Sequence, residues 1–161
     1  MVQTIHKEGV KTMYSETKME KITINLPPVE LARIDILVEA GVYPSRTDFM
    51  RTAIRKSLDE QQKFIDMRIE ELQSQYEELE PGEEEKKFRS FVGMGVFHIE
   101  RSVFEKAMKE GKKLKIFVVG FVSFDKLITV EMIKNTVHSV RIFGVLKASK
   151  VIREALREKK N

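Results

Sequence analysis

Residues 21–26 set the strongest constraint on how this chain can fold. Lys21, Ile22, Thr23, Ile24, Asn25 and Leu26 alternate polar and apolar without a break. Side chains at i and i+2 of a strand share a face. Ile22, Ile24 and Leu26 therefore point one way, and Lys21, Thr23 and Asn25 the other. Pro27 and Pro28 end the strand, and Pro28 suits the first turn of a helix, where its missing N–H costs nothing. The residues beyond Pro28 read as helix, so the strand has no pairing partner nearby. A short strand with one apolar face and two unpaired edges needs a second strand from elsewhere.

The helical part is a pair. Leu31, Ile34, Leu37 and Val38 recur at helical spacing, and Gly41 stops that run. Ser45 is a good N-cap, and Asp48 three residues on completes a capping-box-like pair. Phe49, Met50, Ala53, Ile54 and Leu58 form the apolar stripe of the second helix. A segment of about 40 residues is at the limit for folding alone. A twofold dimer with its two strands paired antiparallel meets both needs. The ribbon then buries Ile22, Ile24 and Leu26 on the helices and leaves Lys21, Thr23 and Asn25 outside. A two-stranded ribbon fits the DNA major groove. There Asn can bond adenine bidentately, Lys can bond guanine, and Thr can use its hydroxyl or methyl.

The K-I-T-I-N-L strand, the L-P-P entry and the G-V-Y-P-S-R-T-D-F turn stand in this order over residues 20–58. Together they resemble the ribbon-helix-helix (MetJ/Arc/CopG-type) DNA-binding family. The resemblance implies that Lys21, Thr23 and Asn25 contact bases. It also implies that the backbone at Ser45 and Arg46 clamps a phosphate. Free N–H groups and the helix dipole favour an anion at such a helix start, and Arg46 adds a cation. Each residue has a plainer explanation too: Lys21 and Thr23 as a solvated strand face, Ser45 as a cap, Arg46 as a surface cation.

Charge divides the chain. The net charge of +4 is split into +2 over 1–57, −7 over 58–87 and +9 over 88–161. An acidic connector between two basic ends marks two modules and a link. Leu58, Ile65, Ile69, Leu72, Tyr76 and Leu79 keep a spacing of about 3.5 residues, with Gln62 at one seam position. The second helix is therefore expected to run on as a coiled-coil stalk until Pro81 and Gly82 end it. The same stripe could instead pack on the chain's own C-terminal module. Residues 1–19 show no sustained period and read as a flexible tail, with an added phosphate-binding arm as the functional alternative.

The remainder repeats. Gly95, Gly120 and Gly144 align the stretches GVFHIERSVFEKAM, GFVSFDKLITVEMI and GVLKASKVIREAL. Each unit reads as a strand through the glycine and then a helix. The strands are expected near 91–97, 114–124 and 140–146, and the helices near 101–109, 129–137 and 149–159. Such alternation favours parallel strands with right-handed crossovers. The expected fold class is thus α+β. It combines an N-terminal ribbon-helix-helix, dimeric and intertwined and extended by a long helix, with a C-terminal α/β module of about three strand-helix units. The expected division is a tail at 1–19, a DNA-binding domain at 20–58, a connector at 59–87 and an oligomerisation or sensing domain at 88–161.

Several functions are disfavoured. With no Cys there is no thiolate metal site, disulfide or Cys nucleophile. His98 and His138 are widely spaced, His6 lies in the tail, and no H-E-x-x-H, G-x-S-x-G or P-loop pattern occurs. Gly93-Met94-Gly95 lacks the third glycine of a dinucleotide site. No catalytic residue, metal or cofactor is expected. The longest apolar stretch, 116–122, is strand-sized, so no membrane partner is expected. With no signal-peptide h-region, the expected location is the cytoplasm. The expected function is sequence-specific binding of double-stranded DNA by a homodimer acting as a transcriptional repressor. Residues 88–161 would add higher assembly or sense a small-molecule or protein effector. Two alternatives stay open. One is an antitoxin or plasmid-partition regulator that binds a partner protein through its C-terminal module. The other is a ligand-binding or enzymatic protein that its N-terminal module only dimerises.

Overall fold

A computed structural model describes residues 9–12, 20–77 and 87–159. The chain forms two compact units, one from Thr17–Glu70 and the other from Glu71–Asn161 with Met1–Glu16. Six helices and four strands are present among the described residues.

In the first unit, residues 20–27 carry neither turn, bend nor paired strand. Helix α1 (Pro28–Glu39) starts with Pro28 in its first turn, as the Pro-Pro pair dictates. It ends where Gly41 takes φ +73°, the left-handed conformation that lets the Val42 N–H reach back to the Leu37 carbonyl at 3.0 Å. Helix α2 (Arg46–Glu60) begins after its Ser45 cap. The expected uninterrupted helix is not found. Gln61 leaves the helical pattern and its N–H turns back to the Leu58 carbonyl at 3.1 Å. Helix α3 (Gln62–Glu77) begins immediately after it. Neither Gly nor Pro marks this break, so the apolar spacing alone runs straight through it.

The second unit is a sheet with helices. Strands β1 (Val10–Thr12), β2 (Phe88–Ile99), β3 (Lys113–Phe124) and β4 (Val137–Lys147) lie in the order β1-β2-β3-β4. The last three are parallel, as the repeat implies, and β1 adds an antiparallel edge with Val10 opposite Ile99. Within the stretch expected as a flexible tail, residues 10–12 are a strand, and the remainder apart from Gly9 lies outside the described residues. Backbone pairing to β2 holds residues 10–12, and the Glu100 N–H adds a bond to the Gly9 carbonyl at 3.0 Å. Leu79 and the Pro81–Gly82 stop fall outside the described residues.

Helices α4 (Arg101–Glu110), α5 (Val130–Thr136) and α6 (Lys150–Arg157) each come after a parallel strand. Thr129 and Ser149 cap α5 and α6 through their hydroxyls. These helices pack side by side on one sheet face. Phe104, Ala107, Ile133 and Leu156 close there over Leu114, Ile116, Val118 and Val122. Full burial of each large apolar side chain contributes about 1.5–3 kcal/mol, so this face holds most of the unit's stability.

The glycines that align the repeat stand side by side. Gly95 pairs with Gly120, and Gly120 with Gly144. Their φ values are 134°, 132° and 117°, a region open only to glycine. A Cβ added at Gly120 would overlap the Gly95 carbonyl oxygen, and one at Gly144 would overlap that of Gly120. The repeat is thus a steric row across the sheet.

The opposite sheet face receives the end of α3. Leu72 and Tyr76 are buried around the fully buried Phe117, with Val92 and Val119 beside them. The Tyr76 and Phe117 rings lie 5.4 Å apart, and the Ser90 hydroxyl donates to the Tyr76 carbonyl at 2.9 Å. Burial pushes the Tyr76 phenol pKa up, against the opposing influence of its Ser139 hydrogen bond and of Arg141. These two seam residues are satisfied within the chain. A parallel sheet normally covers both faces, and that demand outranks the stalk at Leu72 and Tyr76. Toward the start of α3, Ile65 and Ile69 are half-buried.

Candidate nucleic-acid interface

The expected reading face is open. Lys21, Thr23 and Asn25 are all exposed. Ile22 and Ile24 are 76% and 51% exposed despite being apolar. Ile24 and Leu26 border a groove of about 440 Å³ between α1 and α2, whose apolar walls include Ile34, Leu37, Phe49 and Met50. Ile34 is the one buried apolar side chain among the described residues of this unit, and α2 buries none. The strand's apolar side chains therefore have a receiving surface that is only half built. Among the described residues, no backbone hydrogen bond engages 21–26, so both edges of this stretch are open to pairing.

The start of α2 is capped by Ser45. Ser45 accepts the Asp48 N–H at 3.2 Å, and its hydroxyl donates to Asp48 Oδ2 at 2.6 Å. This is the expected Ser45–Asp48 pair, although here the Asp48 carboxylate accepts from the hydroxyl. Tyr43 meets Phe49 edge-on at 5.1 Å and fixes the approach to the cap. Ser45→Ala is expected to lower stability by about 1 kcal/mol. Thermal unfolding followed by circular dichroism checks this, and an unchanged midpoint would deny the cap that role.

Arg46 lies beside this cap and is already engaged. Its Nε and an Nη donate to the two carboxylate oxygens of Asp35 on α1, each at 2.5 Å. Both side chains are about half exposed, at 50% and 45%. The hydrogen bond from Arg46 holds the Asp35 carboxyl below its ordinary range, and the same bond raises the Arg46 pKa. Asp35 is the residue that sequence reasoning missed. It sits 11 positions before Arg46 on another helix, and no spacing rule connects them.

Elsewhere, His98 Nδ1 lies 2.9 Å from Ser123 Oγ, which also bonds the Phe97 carbonyl. His138 is exposed, with its ring 4.8 Å from that of Phe88. No group of three His, Asp or Glu side chains close enough to hold a metal occurs among the described residues. No helix among them is long and apolar enough to cross a membrane.

A polar-apolar alternating stretch with no strand partner among the described residues, leading through Pro27 and Pro28 into one helix and through the Ser45 cap into a second, is the order of elements that a ribbon-helix-helix protein has. The chain belongs to the Ribbon-Helix-Helix transcriptional regulator family, whose model matches residues 17–77 and again 68–153. It is also similar to the transcriptional regulator CdrS of Halobacterium salinarum. That similarity is 33% identity over 42 residues, covering 26% of this chain and 76% of that protein. No solved structure matches the chain.

Proposed function

We propose that this protein is a sequence-specific DNA-binding transcriptional regulator, acting as a repressor in the cytoplasm. Two copies pair residues 21–26 into an antiparallel ribbon that enters the major groove. Lys21, Thr23 and Asn25 read bases, while the α2 start at Ser45 and Arg46 holds the flanking phosphate. The observation that carries this reading is the unpaired stretch 21–26, whose Ile22 and Ile24 are exposed beside an unfilled apolar groove. Pairing with a second copy covers both at once. Membership in a ribbon-helix-helix regulator family supports it.

Within this reading, 20–58 is the reader and 88–161 the module that adds assembly or effector response. The folded α/β character of that module, with its own core, favours regulation over the antitoxin alternative, which would bind a partner through a short disordered tail. Its basic charge adds sequence-independent affinity through counterion release.

Selection from a random pool of duplexes tests the proposal. Enrichment of one short, twofold-related sequence is expected, with affinity falling steeply between about 50 and 200 mM salt. A pool that returns no preferred sequence at either salt concentration would remove base reading from this protein.

A further inference from the structure

We propose that Asp35 sets the strength of the phosphate clamp at the start of α2 by competing with DNA for Arg46. This rests on the reading of Arg46 as a phosphate contact. Asp35 and Arg46 form a two-bond fork, Nε to Oδ1 and Nη to Oδ2, both at 2.5 Å. A phosphate diester uses the same planar edge of a guanidinium in the same bidentate way. The carboxylate thus stands where a phosphate would take hold, and it acts as an internal stand-in for that anion.

Local charge points the same way. Asp48 places a second carboxylate at this helix start through its bond to Ser45. Two carboxylates accompany the one guanidinium of Arg46 there. An incoming phosphate must displace Asp35 or take the remaining Arg46 N–H groups while lying beside a negative neighbour. Either course weakens binding. The fork is solvent-exposed at about half of each side chain, so exchange between carboxylate and phosphate needs no unfolding.

The consequence is an affinity held below what the cations alone would give. Asp35→Asn keeps the size of the side chain and removes its charge. It is expected to tighten binding about fivefold per half-site, the factor produced by one like charge at about 4 Å in water-like surroundings. It should also steepen the salt dependence, since a freed guanidinium releases about one more counterion per half-site.

The test uses the full chain and a fluorescent random-sequence duplex, with binding measured by anisotropy over a salt series. Wild type, Asp35→Asn, Asp35→Glu, Arg46→Gln and the double variant Asp35→Asn/Arg46→Gln are compared. Tighter binding and a steeper slope for Asp35→Asn, wild-type behaviour for Asp35→Glu and no gain in the double variant support the proposal. Equal or weaker binding by Asp35→Asn overturns it, as does a gain that persists in the double variant. Wild-type affinity and slope in Arg46→Gln would instead overturn the phosphate reading itself, and the competition with it. A measurement on the unaltered chain covers the case in which Asp35→Asn does not fold. The Arg46 guanidinium N–H NMR signals, Nε and Nη together, should shift as duplex is added, and a set that stays fixed at saturation overturns the proposal.

Discussion

Replacing Lys21, Thr23 and Asn25 together by alanine is expected to abolish discrimination between the selected site and a scrambled duplex. Each good base contact contributes about 1–3 kcal/mol of discrimination, and a paired ribbon carries these three residues twice. Their loss should bring binding down to the sequence-independent level, in the range of about 10⁻⁴–10⁻⁶ M at physiological salt. All three side chains are exposed and none belongs to either apolar core. The fold and the dimer should therefore survive, as checked by circular dichroism and sedimentation. Gel shifts on both duplexes decide the matter. A triple variant that still prefers its site would show that the ribbon does not read bases.

Gly120→Ala is expected to cause the largest loss of stability, about 3 kcal/mol or more, in the C-terminal module. The backbone there has φ +132°, which already costs a residue with a Cβ about 1–3 kcal/mol. The added methyl also overlaps the Gly95 carbonyl oxygen in the neighbouring strand. Relief requires prying β2 from β3, and every pair in that register resists it. Gly111→Ala separates the two causes. Gly111 has φ +65° but nothing within 4 Å of an added Cβ, so only about 1–2 kcal/mol of backbone strain is expected. Urea titration of both variants measures the difference. Equal effects at the two positions would mean that the overlap at Gly120 is relaxed at no cost.

The sequence exposed those parts of the fold that obey a local rule. The glycine-aligned repeat located three parallel strands and three helices because each unit repeats a glycine and the apolar positions that follow it. Cap chemistry recurs only in the second and third units, since Glu100 gives α4 no side-chain cap. Thr129 and Ser149 do in the structure what their residue types favour. Strand β1 escaped because three residues are too few to show alternation. The break at Gln61 escaped because no Gly or Pro signals it. The fate of Leu72 and Tyr76 was ambiguous for a deeper reason. A seam of apolar residues records that something covers it, but the spacing does not say whether that is a second helix or a sheet. Phe117, one residue in a generally apolar strand, supplied the answer only in three dimensions. The Asp35–Arg46 fork was hidden for the same reason, since ion pairs between helices leave no period in the chain.

The glycine row has a direction. Gly144 leans on Gly120, Gly120 leans on Gly95, and Gly95 itself would meet only the Phe97 ring, at 3.8 Å. Each later strand is admitted by the bareness of its own residue against the carbonyl of the strand before. The module therefore carries a rule for its own enlargement. A duplicated unit laid against β4 would seat only if it brought a glycine to face Gly144, whereas the β2 side asks no such toll of what lies beside it. By this steric rule the β4 border is where a further parallel strand would fit, against the bare backbone at Gly144.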